Sequence, residues 1–230
     1  RHAENIHGPQ NDGDEGDVVS SHQSPCNSAV RSSVRGYDEA TNLYVVTTSP
    51  LPIVGFVGTG HIATFHSKML KISGVPMVRG GCFDIDAERA ATFAHASGST
   101  VMASADEVIA SSDMVYICTW TSEHQSLVEK CIAAGKPFFC EKPLSIGLSQ
   151  AAEMHTAAAT SELTHQCGLI LRRSPAYLWA RELISDPAAG APMAVVFRDD
   201  QFIPVQGHYK STWRGDVTKA GAGTLLEHSI

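Results

Sequence analysis

The stretch Leu51-Pro52-Ile53-Val54-Gly55-Phe56-Val57-Gly58-Thr59-Gly60-His61-Ile62-Ala63 decides the fold. The apolar run Ile53 to Val57 reads as a buried strand, Gly58-Thr59-Gly60 as a tight turn, and His61 to Ile72 as an amphipathic helix. Gly58 can take a backbone conformation closed to residues with side chains. Gly60 lets the main chain approach a ligand, and Ala63 stands where the helix packs on the strand. N–H groups at the start of such a helix are free and favour an anion, for which the diphosphate of a dinucleotide is the natural occupant. The competing reading is a plain structural turn, so the rest of the chain has to decide.

Working outward, the pattern after the turn is regular. Strands are expected at Met77–Phe83, near Val101, and at Met114–Cys118, Pro137–Cys140 and Thr164–Leu169. Helices are expected at Ala87–Ser97, Ala105–Ala110, Glu123–Ala134 and Leu148–Thr160. Strands that read as continuous apolar runs and alternate with helices form a parallel sheet covered on both faces, here a doubly wound α/β Rossmann arrangement. After Leu171 the rhythm changes. A helix at Pro175–Ser185, a strand at Met193–Arg198, an irregular stretch to Ala220 and a helix opening at Gly223 read as the start of an α+β domain with an incomplete sheet. Residues 1–48 are rich in Ser, Gly, Asn, Asp and Glu and are expected to be a disordered tail. The division is then 1–48, 49–171 and 172–230.

Composition narrows the partners. The 230 residues carry a net charge of -7 and are 43% hydrophobic, which suits a globular acidic protein and argues against nucleic acid. No run approaches the ~18 apolar residues of a membrane helix, and the amino terminus shows no signal pattern. The six cysteines lack metal-ligand spacing. Cys82, Cys118 and Cys140 fall on core strands, so they read as reduced thiols of a cytoplasmic protein without a metal site.

The residues that could carry chemistry fall at strand ends. Asp84 lies 26 residues after Gly58, where an acid can hydrogen-bond the adenosine ribose and repel a 2′-phosphate, favouring NAD over NADP. It could equally cap the next helix, for which Asp86 is better placed. Thr119 follows the fourth strand at the edge where open α/β sheets bind ligands. Thr121 and Ser122 read as helix caps, and His124 as a satisfied first-turn histidine or a ligand-facing one. Glu141-Lys142-Pro143 follows the fifth strand: the ammonium could polarise a substrate hydroxyl, a cis Lys-Pro bond would fix its direction, and a surface ion pair is the alternative. Arg172 and Arg173 could meet an anionic or polyhydroxylated substrate or form a solvated turn. Tyr177 and Trp179 read as packing residues, and Trp213-Arg214 as weaker candidates.

Together these segments resemble the Gfo/Idh/MocA family, the glucose-fructose oxidoreductase and inositol dehydrogenase group. The likeness is carried by Gly58 to Ala63, Cys82-Phe83-Asp84-Ile85-Asp86, Tyr116 to Thr119, His124, Ala134 to Leu144, Arg172 to Tyr177 and Gly221 to Glu227. It implies a Rossmann domain followed by a domain with an open, mostly antiparallel sheet. The implied activity is NAD(P)-dependent hydride transfer at a carbinol carbon of a sugar, inositol or related polyol. It gives Lys142 the place of the catalytic lysine. Gly58, Gly60, His61, Ile62, Asp84, Thr119, His124, Glu141 and Lys142 become cofactor-binding positions, Arg172 a substrate contact, and Glu227, standing where many members have an aspartate, a second catalytic position. The family's usual histidine, four residues after that acid, falls one residue beyond Ile230, and His228 lies on another helical face. The expectation is therefore a shortened form of a longer, homo-oligomeric enzyme, with a non-catalytic NAD-binding protein as the alternative.

Overall fold

The structure, a computed structural model, describes residues 31–38, 43–196, 198, 211–221, 223 and 226. Strands β1 (Arg31–Asp38) and β2 (Leu43–Pro50) form an antiparallel ribbon that pairs with no other strand among the described residues. Residues 31–38 and 43–48 are thus strands within the tail expected to be disordered through residue 48, the rest of which lies outside the described residues. The run Leu43 to Thr48 concentrates β-branched and aromatic residues, which favour extended backbone, and the Ser- and Gly-rich composition around it concealed the signal.

The main sheet begins at β3 (Ile53–Val57). Helix α1 (His61–Ile72) leads to β4 (Val78–Phe83), α2 (Ala87–Ser97) to β5 (Thr100–Val101), and α3 (Ala105–Ser111) to β6 (Met114–Ile117). Helix α4 (His124–Ala133) precedes β7 (Phe138–Cys140), and α5 (Leu148–Thr160) precedes β8 (His165–Cys167). The sheet order is β5-β4-β3-β6-β7-β8 and every pairing is parallel. Successive crossovers run outward from β3 to one side and then, from β6, to the other. The chain therefore reverses direction across the sheet between β3 and β6, and a ligand crevice opens at their carboxyl ends.

Alternation along the strands fills both faces. On one, Val54, Phe56, Ala63, Cys82 and Phe93 pack together; on the other, Val57, Val115, Ile117, Val128, Phe138 and Met154 do. Phe56 is fully buried, its ring 5.0 Å from Tyr116 and 5.2 Å from Phe93. An extra residue in β4, opposite Val54 to Phe56, shifts the register so that the Gly58 N–H donates to the Phe83 carbonyl at 2.9 Å.

Beyond β8 the structure differs from expectation in three places. Helix α6 (Pro175–Ser185) forms, but it buries none of its residues, and Tyr177 and Trp179 are exposed rather than packed. Met193 to Val196, within the strand expected at Met193–Arg198, form no ladder; Met193, Val195 and Val196 are 86–96% exposed, and a strand needs a partner that the described residues do not provide. Residues 212–220, read as irregular, form a 3₁₀ turn (Thr212–Gly215) and the short helix α7 (Val217–Ala220), started by Asp216, which accepts from the Thr218 N–H. The helix expected from Gly223 falls largely outside the described residues, as do Glu227, His228 and Cys26.

Replacing Phe56 by alanine removes two ring contacts at the centre of the sheet. It should lower unfolding stability by about 3–5 kcal/mol in urea titration.

Candidate functional site

Gly58 adopts φ 81°, and a Cβ there would lie 2.6 Å from the carbonyl carbon and oxygen of Cys118 and 2.8 Å from the Thr119 nitrogen. The turn after β3 thus presses directly on the backbone leaving β6, a fit only glycine permits. Gly60, by contrast, faces open space, and it is the N-cap of α1 with no side-chain cap. No acid stands in the first turn of this twelve-residue helix. Its first N–H groups, at His61 and Ile62, have no intrahelical partners and point out of the turn. A glycine cradle with free donors fits an anionic diphosphate.

Thr59 is buried and tied to the end of β4: its N–H and Oγ1 both donate to Oδ2 of Asp84, at 2.8 and 3.1 Å. Oδ1 of Asp84 accepts from the Asp86 N–H at 3.0 Å and from Arg89 Nη1 at 3.2 Å. Asp86, not Asp84, caps α2 by accepting from the Arg89 N–H at 3.1 Å. The two competing readings of Asp84 are thereby separated. Its side chain, 5% exposed, is the clasp between the glycine turn and the second strand of the main sheet.

Along the other half of the edge, Thr119 follows β6, half-buried, with Oγ1 3.3 Å from the Trp120 carbonyl. Lys219 Nζ lies 4.3 Å from the centre of the Trp120 ring, so the α7 segment closes over this turn. Glu141 follows β7 and is buried. Its Oε1 meets Nε2 of His66 at 2.5 Å and its Oε2 accepts the Lys142 N–H at 2.9 Å. A Cβ on Gly168, beyond β8, would lie 3.1 Å from the carboxyl group, so that glycine leaves the space Glu141 occupies. The Lys142–Pro143 bond is cis, and Lys142 is half-buried.

His124 is 1% exposed, with Nδ1 3.0 Å from the Pro143 carbonyl and 3.3 Å from that of Leu144. Carbonyls only accept, so Nδ1 carries the hydrogen. Among the described residues Nε2 has no hydrogen-bond partner, and neither has the buried Thr121 Oγ1. Burial lowers the His124 pKa from 6.5, against the pull of the carbonyls, and the ring is neutral. His124 therefore braces the Lys142-Pro143 turn from behind and presents no exposed edge to a ligand. Burial also pushes the thiols of Cys118 and Cys140 well above 9, with the Glu141 carboxylate adding to the effect. These thiols are neutral and free, and the described residues hold no group of three ligands suited to a metal.

Arg172 sits on an exposed 3₁₀ turn, Ile170–Arg173, after β8. It shares the sheet edge with Lys142 without a described contact to it. The residue that sequence reading missed is His66. The signal was its spacing: three residues after the buried Ala63, it falls on the inward side of α1.

A doubly wound sheet with a glycine turn at its switch point and a basic turn beside it defines a dinucleotide-binding domain. The model of the Gfo/Idh/MocA oxidoreductases, described as an oxidoreductase family with an NAD-binding Rossmann fold, matches residues 53–169. The chain belongs to that family. It is 34% identical over 134 residues to an inositol 2-dehydrogenase of Cereibacter sphaeroides, a match covering 57% of this chain and 40% of the relative. Among solved structures it resembles UDP-N-acetylglucosamine 3-dehydrogenase GnnA of Acidithiobacillus ferrooxidans, with TM-score 0.52, 30% identity and coverage of 57% of this chain and 41% of the other. It also shares its fold with GenD2 of gentamicin A biosynthesis, solved with NAD, at TM-score 0.62 and 22% identity, covering 76% and 50%. The chain thus spans about half or less of the length of the proteins it matches.

The neutral state of His124 has a measurable consequence. A histidine held neutral by folding loses stability as pH falls below its unfolded value of ~6.5, because the unfolded chain then binds the proton more readily. The wild-type melting temperature should fall between pH 7 and pH 5 more steeply than that of His124→Gln in differential scanning calorimetry.

Proposed function

We propose that residues 49–171 bind NAD(H) for a dehydrogenase that acts on the CH–OH group of a sugar, inositol or related polyol, and that residues 172–230 belong to the substrate-binding unit. The observation that carries this reading is the uncapped N-terminus of α1 opening on Gly60, with the Glu141-Lys142-Pro143 turn on the same sheet edge. The relatives named inositol 2-dehydrogenase support the substrate class.

Gly58, Gly60 and the N–H groups of His61 and Ile62 hold the diphosphate, and Thr119 and Glu141 border the nicotinamide end. When bound, the nicotinamide supplies a hydride acceptor at C4. The Lys142 ammonium donates to the reacting oxygen of the substrate and weakens its hold on the hydroxyl proton. His124 contributes through Pro143, whose carbonyl it fixes. Arg172 reaches substrate hydroxyls, and Glu227 takes part through the family resemblance alone, as does assembly into a homo-oligomer. The five described cysteines, all free, suit a cytoplasmic setting.

A preference for NAD over NADP is supported by the place of the Asp84 carboxylate at the end of β4, where an acid can hydrogen-bond the adenosine ribose and repel a 2′-phosphate. Its four acceptor sites are filled from within the chain, two by Thr59, one by the Asp86 N–H and one by Arg89. A ribose hydroxyl therefore replaces the half-exposed Arg89, the least buried of these partners. Asp84→Ser should erase the preference, seen as equal Kd values for NADH and NADPH; an unchanged ratio contradicts the assignment.

Catalysis is tested by assaying a polyol and sugar panel with NAD. Lys142→Ala should lower turnover roughly 10²–10⁴-fold while NADH binding persists. Turnover that survives the substitution removes Lys142 from the reaction, and NADH binding without turnover on any substrate favours the non-catalytic alternative.

A further inference from the structure

The nucleotide helix and the lysine turn are joined by one buried contact. His66 lies one turn beyond Ala63 on α1, the helix whose start forms the anion cradle. Its ring is held edge-on to Phe139, 4.9 Å away at 67°, and tilted against Tyr116 at 5.6 Å. This packing aims Nε2 at the Glu141 carboxylate. The pair is withdrawn from solvent, with side chains 18% and 9% exposed. The other Glu141 oxygen accepts the Lys142 N–H, and the Gly168 backbone closes the far side. No other side-chain hydrogen bond to Glu141 is described, so the direction of this carboxylate depends on His66. A buried carboxylate deprived of its donor turns toward another partner, and that change displaces the acceptor that holds the Lys142 backbone.

We propose that His66 is the positioning residue of the Glu141-Lys142-Pro143 turn, acting through Glu141 so that the lysine is set by the same helix that receives the diphosphate. This rests on the dinucleotide reading for its purpose, but the coupling itself is present in the chain without ligand. The described contacts of His66 are with Glu141 and the rings of Phe65, Tyr116 and Phe139, not with the cradle residues. Its effect is transmitted over one helical turn, about 5 Å, by a rigid element at one end and a hydrogen bond at the other. It differs from the His124 brace, which holds the Pro143 side of the same turn.

The discriminating variants are His66→Phe, which keeps the aromatic packing and removes the donor, and His66→Gln, which keeps a donor of similar reach. Glu141→Gln breaks the pair from the other side and serves should His66→Phe fail to fold by circular dichroism. Lysines of the unliganded chain are reductively methylated with ¹³C, and the Lys142 signal is assigned by its loss in Lys142→Arg. The Lys142 resonance should move in His66→Phe and Glu141→Gln and return toward its wild-type position in His66→Gln. An unmoved resonance in His66→Phe, or equal displacement in His66→Phe and His66→Gln, overturns the proposal and leaves His66 a packing residue. NADH titration followed by nicotinamide fluorescence runs alongside, with an expected loss of affinity on the order of tenfold in His66→Phe, largely restored in His66→Gln. Failure of the wild type to bind NADH defeats the dinucleotide reading, while the Lys142 resonance still decides the role of His66.

Discussion

The structure depends on one close approach. At Gly58 the turn leaving β3 lies against the Cys118–Thr119 backbone, where a Cβ would come within 2.6 Å of main-chain atoms. Three strand ends meet there: Gly58 donates to Phe83 at the end of β4, and Cys118 donates to Val57 at the end of β3. Since backbone atoms cannot move aside as a flexible side chain can, this contact fixes where α1 begins and which way its first N–H groups point. Everything assigned to the site is placed relative to that point. Asp84 reaches it through Thr59, and Glu141 reaches it through His66 and α1.

Burial then divides the polar residues of the edge into two kinds. Asp84 and Glu141 are nearly enclosed and spend their hydrogen-bonding capacity on the chain itself, and His124 is enclosed with its Nδ1 spent in the same way. They hold shape. The N–H groups at the start of α1 lie at an end with no side-chain cap, and Thr119 and Lys142, both half-buried, border the same sheet edge. A buried group without its partner is far more costly than an exposed one, so the enclosed residues constrain the positions of the accessible ones.

The fold was largely legible because the strands are apolar runs and the helices begin and end with recognisable chemistry, as at Asp86 and Gly98 around α2. The doubly wound parallel sheet followed from the alternation of strands and helices. What the pattern concealed was context. Nothing in Met193 to Val196 says whether a neighbouring strand is present, and nothing in Tyr177 or Trp179 says whether α6 is covered. At the site, the glycine turn and the Glu141-Lys142-Pro143 turn were readable from residue type and spacing. His66 was not, because a histidine on the inner side of a helix is ordinary until its partner, 75 residues away, is known. His124 was readable as important, but only the enclosing Pro143 and Leu144 carbonyls show that it braces the lysine turn.

The central claim is that the start of α1 is an anion cradle for a dinucleotide, and amide chemical-shift mapping with NADH tests it most directly. The account requires saturable shifts at the N–H groups of Gly58, Thr59, Gly60, His61 and Ile62, with a second set at Thr119 and Lys142. ADP-ribose, which keeps the diphosphate and lacks nicotinamide, should reproduce the first set and leave the second weak. Spectra that stay unchanged at the glycine turn as NADH is added, or shifts confined to surfaces away from the sheet's carboxyl edge, would contradict it.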